Sequence, residues 1–134
     1  MIDQLSIYLE NEKGATLRVL SLLAQSGINV LGLSHKDDSE FGTLRLILSD
    51  PQLGKQVLED AGYLCHAGHV IGVELDDTPG ALERMLENIE DMNINIDYLY
   101  VGYARENNMP IIMIHCDYVE TVQDTLRRRG YNVH

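Results

Sequence analysis

The segment Asp77-Thr78-Pro79-Gly80-Ala81 has the residue types for ligand chemistry that uses the main chain rather than a catalytic side chain. It stands immediately before an apolar stretch of helical period. Asp77 or Thr78 can cap the helix, and Pro79 suits its first turn, where a missing N–H would go unpaired anyway. Gly80 has no side chain, so a ligand can approach the backbone there. The N–H groups of the first turn, from Ala81 and Leu82 onward, point outward at the positive end of the helix dipole. Such a corner receives a carboxylate or a phosphate. Two or three donors suffice, each worth about 1.5–3 kcal/mol against a charged acceptor. Taken alone, the pentapeptide fits a plain capped helix start better than a ligand site. A second constellation is Gly27-Ile28-Asn29-Val30 with its counterpart Asn93-Ile94-Asn95-Ile96. The amides of Asn29 and Asn95 carry donors and acceptors that can read an amino-acid head group. Turn chemistry is the other use of Asn at the exit of a helix.

The elements that position these residues occur twice. Sliding the chain by 66 residues lays Gly14-Ala15 on Gly80-Ala81, Arg18 on Arg84, Leu20 on Leu86 and Ile28-Asn29 on Ile94-Asn95. Beyond Asp50 the second copy gains two residues, and Gly62-Tyr63 then matches Gly130-Tyr131. This internal repeat has a unit of about 65 residues. It divides the chain into residues 1–67 and 68–134, with a joint near Ala67-Gly68.

Within the first copy, Leu5, Ile7 and Leu9 alternate with polar neighbours as in a half-buried strand over 4–10. A helix follows and stops at Gly27, a natural C′ residue. Strands over 28–35 and 43–49 flank a polar tip at Asp37-Asp-Ser-Glu40. Asp50-Pro51 marks a helix start, Gly62 a helix stop, and 63–66 a closing strand. The second copy predicts strands over 70–76, 94–103, 109–116 and 131–133, with helices over 79–92 and 118–129. The order βαββαβ gives an α+β fold of two tandem ferredoxin-like units, each an antiparallel sheet with two helices on one face.

Composition narrows the function. Ten Lys and Arg against twenty-one Asp and Glu leave a net charge of -11, which repels nucleic acid and anionic lipid. Cys65 and Cys116 are too few for a disulfide scaffold. The start Met1-Ile-Asp-Gln-Leu-Ser-Ile lacks a signal-peptide pattern, so the expected compartment is the cytoplasm. No zinc-ligand spacing joins Cys65-His66, His69 and His115-Cys116, and neither a metal nor a cofactor is expected. Tyr98, Tyr100 and Tyr103 resemble an RNA-binding strand only without its basic face. Arg127-Arg-Arg129 complements the dipole of the last helix. No Ser-His-Asp set or carboxylate pair can be singled out for catalysis.

Two segments carry apolar excess. The first helix spreads Leu17, Val19, Leu20, Leu22, Leu23 and Ala24 over a wide arc, whereas Leu82, Met85, Leu86, Ile89 and Met92 form one narrow stripe. In Ile111-Ile-Met-Ile-His115, Ile112 and Ile114 are expected to face the helices, leaving Ile111 and Met113 pointing away. Exposed apolar clusters of this kind mark contacts with another domain or subunit, and symmetry favours a dimer.

Taken together, these motifs resemble the ACT domain, a small regulatory module that senses amino acids. The second copy carries the pattern in Asp77, Pro79, Gly80, Ala81, Leu82, Ile94, Asn95 and Ile96. The first copy departs from it, with Asn11-Glu12-Lys13 in place of the acidic residue and the proline, but keeps Gly14, Ala15, Ile28, Asn29 and Val30. Lys13 either strengthens an anion site there or is a solvated loop lysine. The resemblance implies a stand-alone tandem ACT protein that is not an enzyme. It also implies a free amino acid held between the helix-start loop of one unit and the strand of a neighbour, with a homodimer and a regulated enzyme as partners. The rival reading is a small ferredoxin-like hydrolase resembling acylphosphatase, but no Gly-rich phosphate cradle is present.

Overall fold

The computed structural model describes residues 1–37 and 40–134; Asp38 and Ser39, in the expected hairpin tip, lie outside the described residues. The elements are β1 (Ile2–Glu10), α1 (Ala15–Gln25), β2 (Val30–Asp37), β3 (Phe41–Leu48), α2 (Pro51–Asp60), β4 (Leu64–Glu74), α3 (Ala81–Glu90), β5 (Ile96–Tyr103), β6 (Pro110–Cys116) and α4 (Val119–Arg128). The fold is thus α+β: β1 to β4 follow the order βαββαβ, and β4 to α4 repeat it except that the last strand, expected over 131–133, is reduced to a single bridge at Val133. Two compact units result, one of Asp3–Gly68 and one of Met1–Ile2 with His69–His134. The closing strand of the first repeat and the opening strand of the second are fused into the single strand β4. Gly68 does not break it, because extended backbone accommodates glycine as well as any other residue.

In the unit Asp3–Gly68, β3 pairs antiparallel with both β1 and β2, and Leu5, Ile7 and Leu9 stand opposite Leu46, Leu44 and Gly42. This alternation puts one apolar row on one face. The row packs with Val19 and Leu23 of α1 and Leu58 of α2 in one core. Asp50 Oδ1 accepts from Leu53 N–H at 3.1 Å, and Pro51 occupies the first turn of α2, as the sequence predicts. Gly27, at φ 72°, ends α1 with Gly27 N–H donating to the Ala24 carbonyl and Ile28 N–H to that of Leu23. That pair of bonds is a Schellman motif.

In the other unit β6 pairs antiparallel with β4 and β5, and Val133 bridges back to Val73. The order is therefore closing segment, β4, β6, β5. Ile71 and Val73, Ile112 and Ile114, Met85 and Ile89 of α3, and Val122 and Leu126 of α4 form its core. Asn93, at φ 54°, takes the left-handed position after α3 that Gly27 holds in the other copy. Asn tolerates that conformation better than most residues.

Ile112 and Ile114 lie in the core that the helices pack against, whereas Ile111 and Met113 do not and face away from it, as the alternation predicts. Ile111 and Met113 are nevertheless not exposed: they retain 2% and 1% of their accessible surface. Met113 stands opposite Gly72, and a Cβ on Gly72 would overlap Ile2 Cδ1 and lie 3.0 Å from Ile111 Cγ2. The start of the chain, at Ile2, therefore covers part of this face. The exposed apolar residues include Leu17 on α1, Leu33 on β2 and Leu99, Val101 and Tyr103 on β5. Leu99 and Val101 pair with Ile114 and Ile112 on the core face of the sheet, yet both remain exposed.

Candidate functional site

The two helix starts are built alike, bond for bond. Glu12 N–H donates to the Glu10 carbonyl at 2.8 Å, and Thr78 N–H donates to that of Asp76 at 2.9 Å. Ala15 N–H donates to the Glu12 carbonyl, and Ala81 N–H to the Thr78 carbonyl, each at 3.2 Å. Gly14 and Gly80 precede the helices, both at φ 81°. Such a left-handed backbone costs an L-residue roughly 1–2 kcal/mol, so both positions call for glycine on conformational grounds as well as for access.

Three details differ from the sequence expectations. No side chain caps α1 or α3, so neither Asp77 nor Thr78 is a side-chain cap. The carbonyl of Thr78 takes that place, because the loop turns tightly enough to bring main chain to main chain. Pro79 precedes Gly80 and is outside the helix, whose first residue is Ala81. The N–H of Ala81 is already bonded within the protein, and so is that of Ala15. This leaves Thr16 and Leu17 in one copy, and Leu82 and Glu83 in the other, with first-turn N–H groups that have no protein acceptor among the described residues. The first turn of a helix always leaves such donors over.

Arg18 and Arg84, one turn into each helix, fold back over these loops. Arg18 Nη1 donates to the Lys13 carbonyl and Arg84 Nη1 to that of Pro79, both at 3.4 Å. The copies then diverge. Arg18 Nη2 pairs with the Glu12 carboxylate at 3.3 Å, whereas Thr78 stands at that place in the second copy and offers Arg84 only a hydroxyl at 3.5 Å. Neither arginine was singled out by motif, although the repeat aligns them. The Lys13 side chain and Asn11 are exposed on the first loop.

Two adjoining hollows lie along α3. One of about 680 Å³ is lined by Thr78, Gly80, Ala81 and Leu82 and by the carboxylate-bearing Glu83, Glu87 and Glu90. The other, of about 490 Å³, is lined by Asn93, Ile94, Asn95, Ile96 and Leu99. Leu86 and Glu90 belong to both. The Gly80 loop and the Asn95 strand opening thus border neighbouring hollows rather than one. In the first copy Ile28 is in the core, Asn29 is exposed, and the Asn29 N–H donates to Ser49 Oγ at 2.9 Å. Val30 packs partly against the same core, while Asp77 is exposed beside Pro79.

The remaining candidates have structural partners. Tyr98 stacks on His115 with ring centroids 4.8 Å apart, and His115 Nδ1 lies 2.8 Å from Asp97 Oδ2. Burial, reinforced by Glu59, pushes the Cys65 thiol pKa up, and burial with Asp97 does the same at Cys116. Both thiols are therefore weaker nucleophiles than a free cysteine. Among the described residues no group of three or more His, Cys, Asp or Glu is placed to hold a metal ion. Among the described residues no helix is long and apolar enough to cross a membrane.

Comparison with known proteins gives the fold its context. A protein from Bacteroides thetaiotaomicron of solved structure is similar over 99% of this chain and 91% of its own, with 28% identity and a TM-score of 0.88. The ligand-free regulatory subunit of aspartate kinase from Thermus thermophilus shares the fold at 17% identity, with coverage of 96% and 92% and a TM-score of 0.66. The corresponding subunit from Thermus flavus does so at 19% identity, with coverage of 96% and 93% and a TM-score of 0.57. No curated protein matches the sequence. The family profile described as an ACT domain pair matches residues 1–130, nearly the whole chain. The chain belongs to the ACT domain pair family.

Proposed function

We propose that this protein is a regulatory module without catalytic activity, built of two tandem ferredoxin-like units over 1–67 and 68–134, that binds a free amino acid. The ligand carboxylate accepts from the free N–H groups of Leu82 and Glu83, and at a second position from those of Thr16 and Leu17. The observation that carries this reading is the pair of unsatisfied donors after a left-handed glycine, repeated in both copies. An amino acid also brings an ammonium group, which suits the carboxylates of Glu83, Glu87 and Glu90 around the Gly80 hollow. In the first copy Leu17, Ser21 and Ala24 stand at those places, so the two sites differ in selectivity.

The strand opening at Asn95 of a second molecule completes the binding position, in a cytoplasmic homodimer that meets through the exposed Leu99, Val101 and Tyr103. Regulatory-subunit neighbours of the same fold support a role in controlling an enzyme partner. Signalling then requires the ligand to prefer one assembly over another. A thermal-shift screen of the twenty amino acids tests the proposal. One or two are expected to raise the midpoint, since a ligand at a hundred times its dissociation constant adds about 2.7 kcal/mol. No response to any of them, together with turnover of an acyl phosphate, would favour a hydrolase instead.

A further inference from the structure

A third hollow, of about 410 Å³, lies on another flank of α3 and is lined by Arg84, Asn88, Arg129, Tyr131, Glu74 and Asp76, among others. Its size falls within the range of about 300–1,000 Å³ typical of small-molecule sites. Most of its polar groups hold one another. Arg129 Nη1 donates to Asn88 Oδ1, and Asn88 Nδ2 donates to the Arg84 carbonyl at 2.8 Å and lies 3.3 Å from the Tyr131 hydroxyl. His134 Nε2 lies 2.9 Å from Glu74 Oε1. Two groups of opposite charge are left over. The Arg84 guanidinium has five donors but only two long bonds, at 3.4 and 3.5 Å, and no carboxylate partner among the described residues. The Asp76 carboxylate has no cationic partner among the described residues either, and no ion pair joins the two.

The first copy shows that the fold does not demand this set. Leu22 stands where the second copy has Asn88, and Ala61 where it has Arg129, while Arg18 is neutralised by Glu12. One backbone plan therefore folds with these polar groups and without them. An acidic chain that keeps a guanidinium unpaired beside an unpaired carboxylate in a hollow has the two ends of a zwitterion receptor.

We propose that this hollow is a second small-molecule site, separate from the helix-start amides, for a compact zwitterion whose carboxylate lies on Arg84 and whose ammonium lies toward Asp76. Asn88, Arg129 and Tyr131 form the wall that fixes the carboxylate end.

The test is titration of the ¹⁵N-labelled full chain with glycine, β-alanine and 4-aminobutanoate, which differ in charge separation. Acetate and methylammonium serve as single-charge controls, and the readout is the Arg84 Nε–H and Asn88 side-chain amide signals. At least one zwitterion is expected to shift them saturably, binding about tenfold or more tighter than either control, because the second charge adds a charge-assisted contact. The double variant Asn88→Leu/Arg129→Ala, which uses the residues of the first copy, is expected to weaken that binding by about the same factor. The proposal is overturned if no zwitterion moves these signals, if acetate or methylammonium binds as tightly, or if the double variant binds like the wild type. Shifts confined to the Leu82 and Glu83 amides would overturn it while leaving the helix-start reading intact.

Discussion

Gly80 carries two requirements at once: a positive φ that glycine alone meets cheaply, and an open approach to the amides behind it. A Cβ at this position would also lie 2.9 Å from Arg84 Nη1, whereas at Gly14 the matching distance to Arg18 Nη1 is 3.5 Å. Gly80→Val is therefore expected to cost about 1–2 kcal/mol of stability from backbone strain. Its effect on amino-acid affinity should be larger, and calorimetry on the folded variant measures both. Glu74 gives a second prediction at this scale. Its carboxylate is bonded by His134 foremost and then by the amides of Asn132 and Asn107, which together hold its pKa below the ordinary value. A lowered native pKa stabilises the fold fully above the ordinary Glu pKa, and that contribution is lost as pH falls through the lower native value. Glu74→Gln is expected to flatten the acid limb of the stability curve in that window, as read by urea midpoints at successive pH values. The glycines were legible in the sequence because their backbone role leaves a fixed residue type. Arg84 was not, since nothing local to an arginine on an exposed helix face says which way the guanidinium folds.

At the scale of elements, the sequence was most readable where local chemistry decides. Asp50-Pro51, Gly27 and Gly62 each punctuate a helix as their types require. Asp50→Ala is expected to cost about 1 kcal/mol through loss of the bond to Leu53 N–H, measurable as a lower urea midpoint at unchanged slope. The start of α3 was misread by two residues for a nonlocal reason: a main-chain carbonyl, from Thr78, does the work a side-chain cap does elsewhere. Two neighbouring short strands were expected where β4 is continuous, because Gly68 reads as punctuation only when a turn needs it. Likewise, alternation puts Ile111 and Met113 on the face away from the helices, but it reports which residues share a face, not what covers it. Ile2, over a hundred residues distant in sequence, supplies that cover near Gly72.

Across the whole molecule, the duplication was the strongest signal, because one register of 66 residues fixes the order of elements twice. The value of the repeat extends beyond the fold. Each copy is a control for the other, and where they differ on a common backbone the difference is available for function rather than folding. Glu12 against Thr78, Leu22 against Asn88 and Leu17 against Glu83 are such positions. The net charge of -11 makes them more telling, since each buried or clustered acid adds to an existing repulsion. The hollows themselves were not legible, because pocket walls come from side chains far apart in the sequence.

The most direct measurement is a ¹H–¹⁵N titration with the amino acid that gives the largest thermal shift, following the amide signals of Thr16, Leu17, Leu82 and Glu83. Donating a hydrogen bond to a carboxylate moves an amide proton downfield, so the Leu82 and Glu83 signals are expected to shift downfield and saturate with one dissociation constant. If these four signals stay still while the ligand binds elsewhere, carboxylate capture at the helix starts is contradicted.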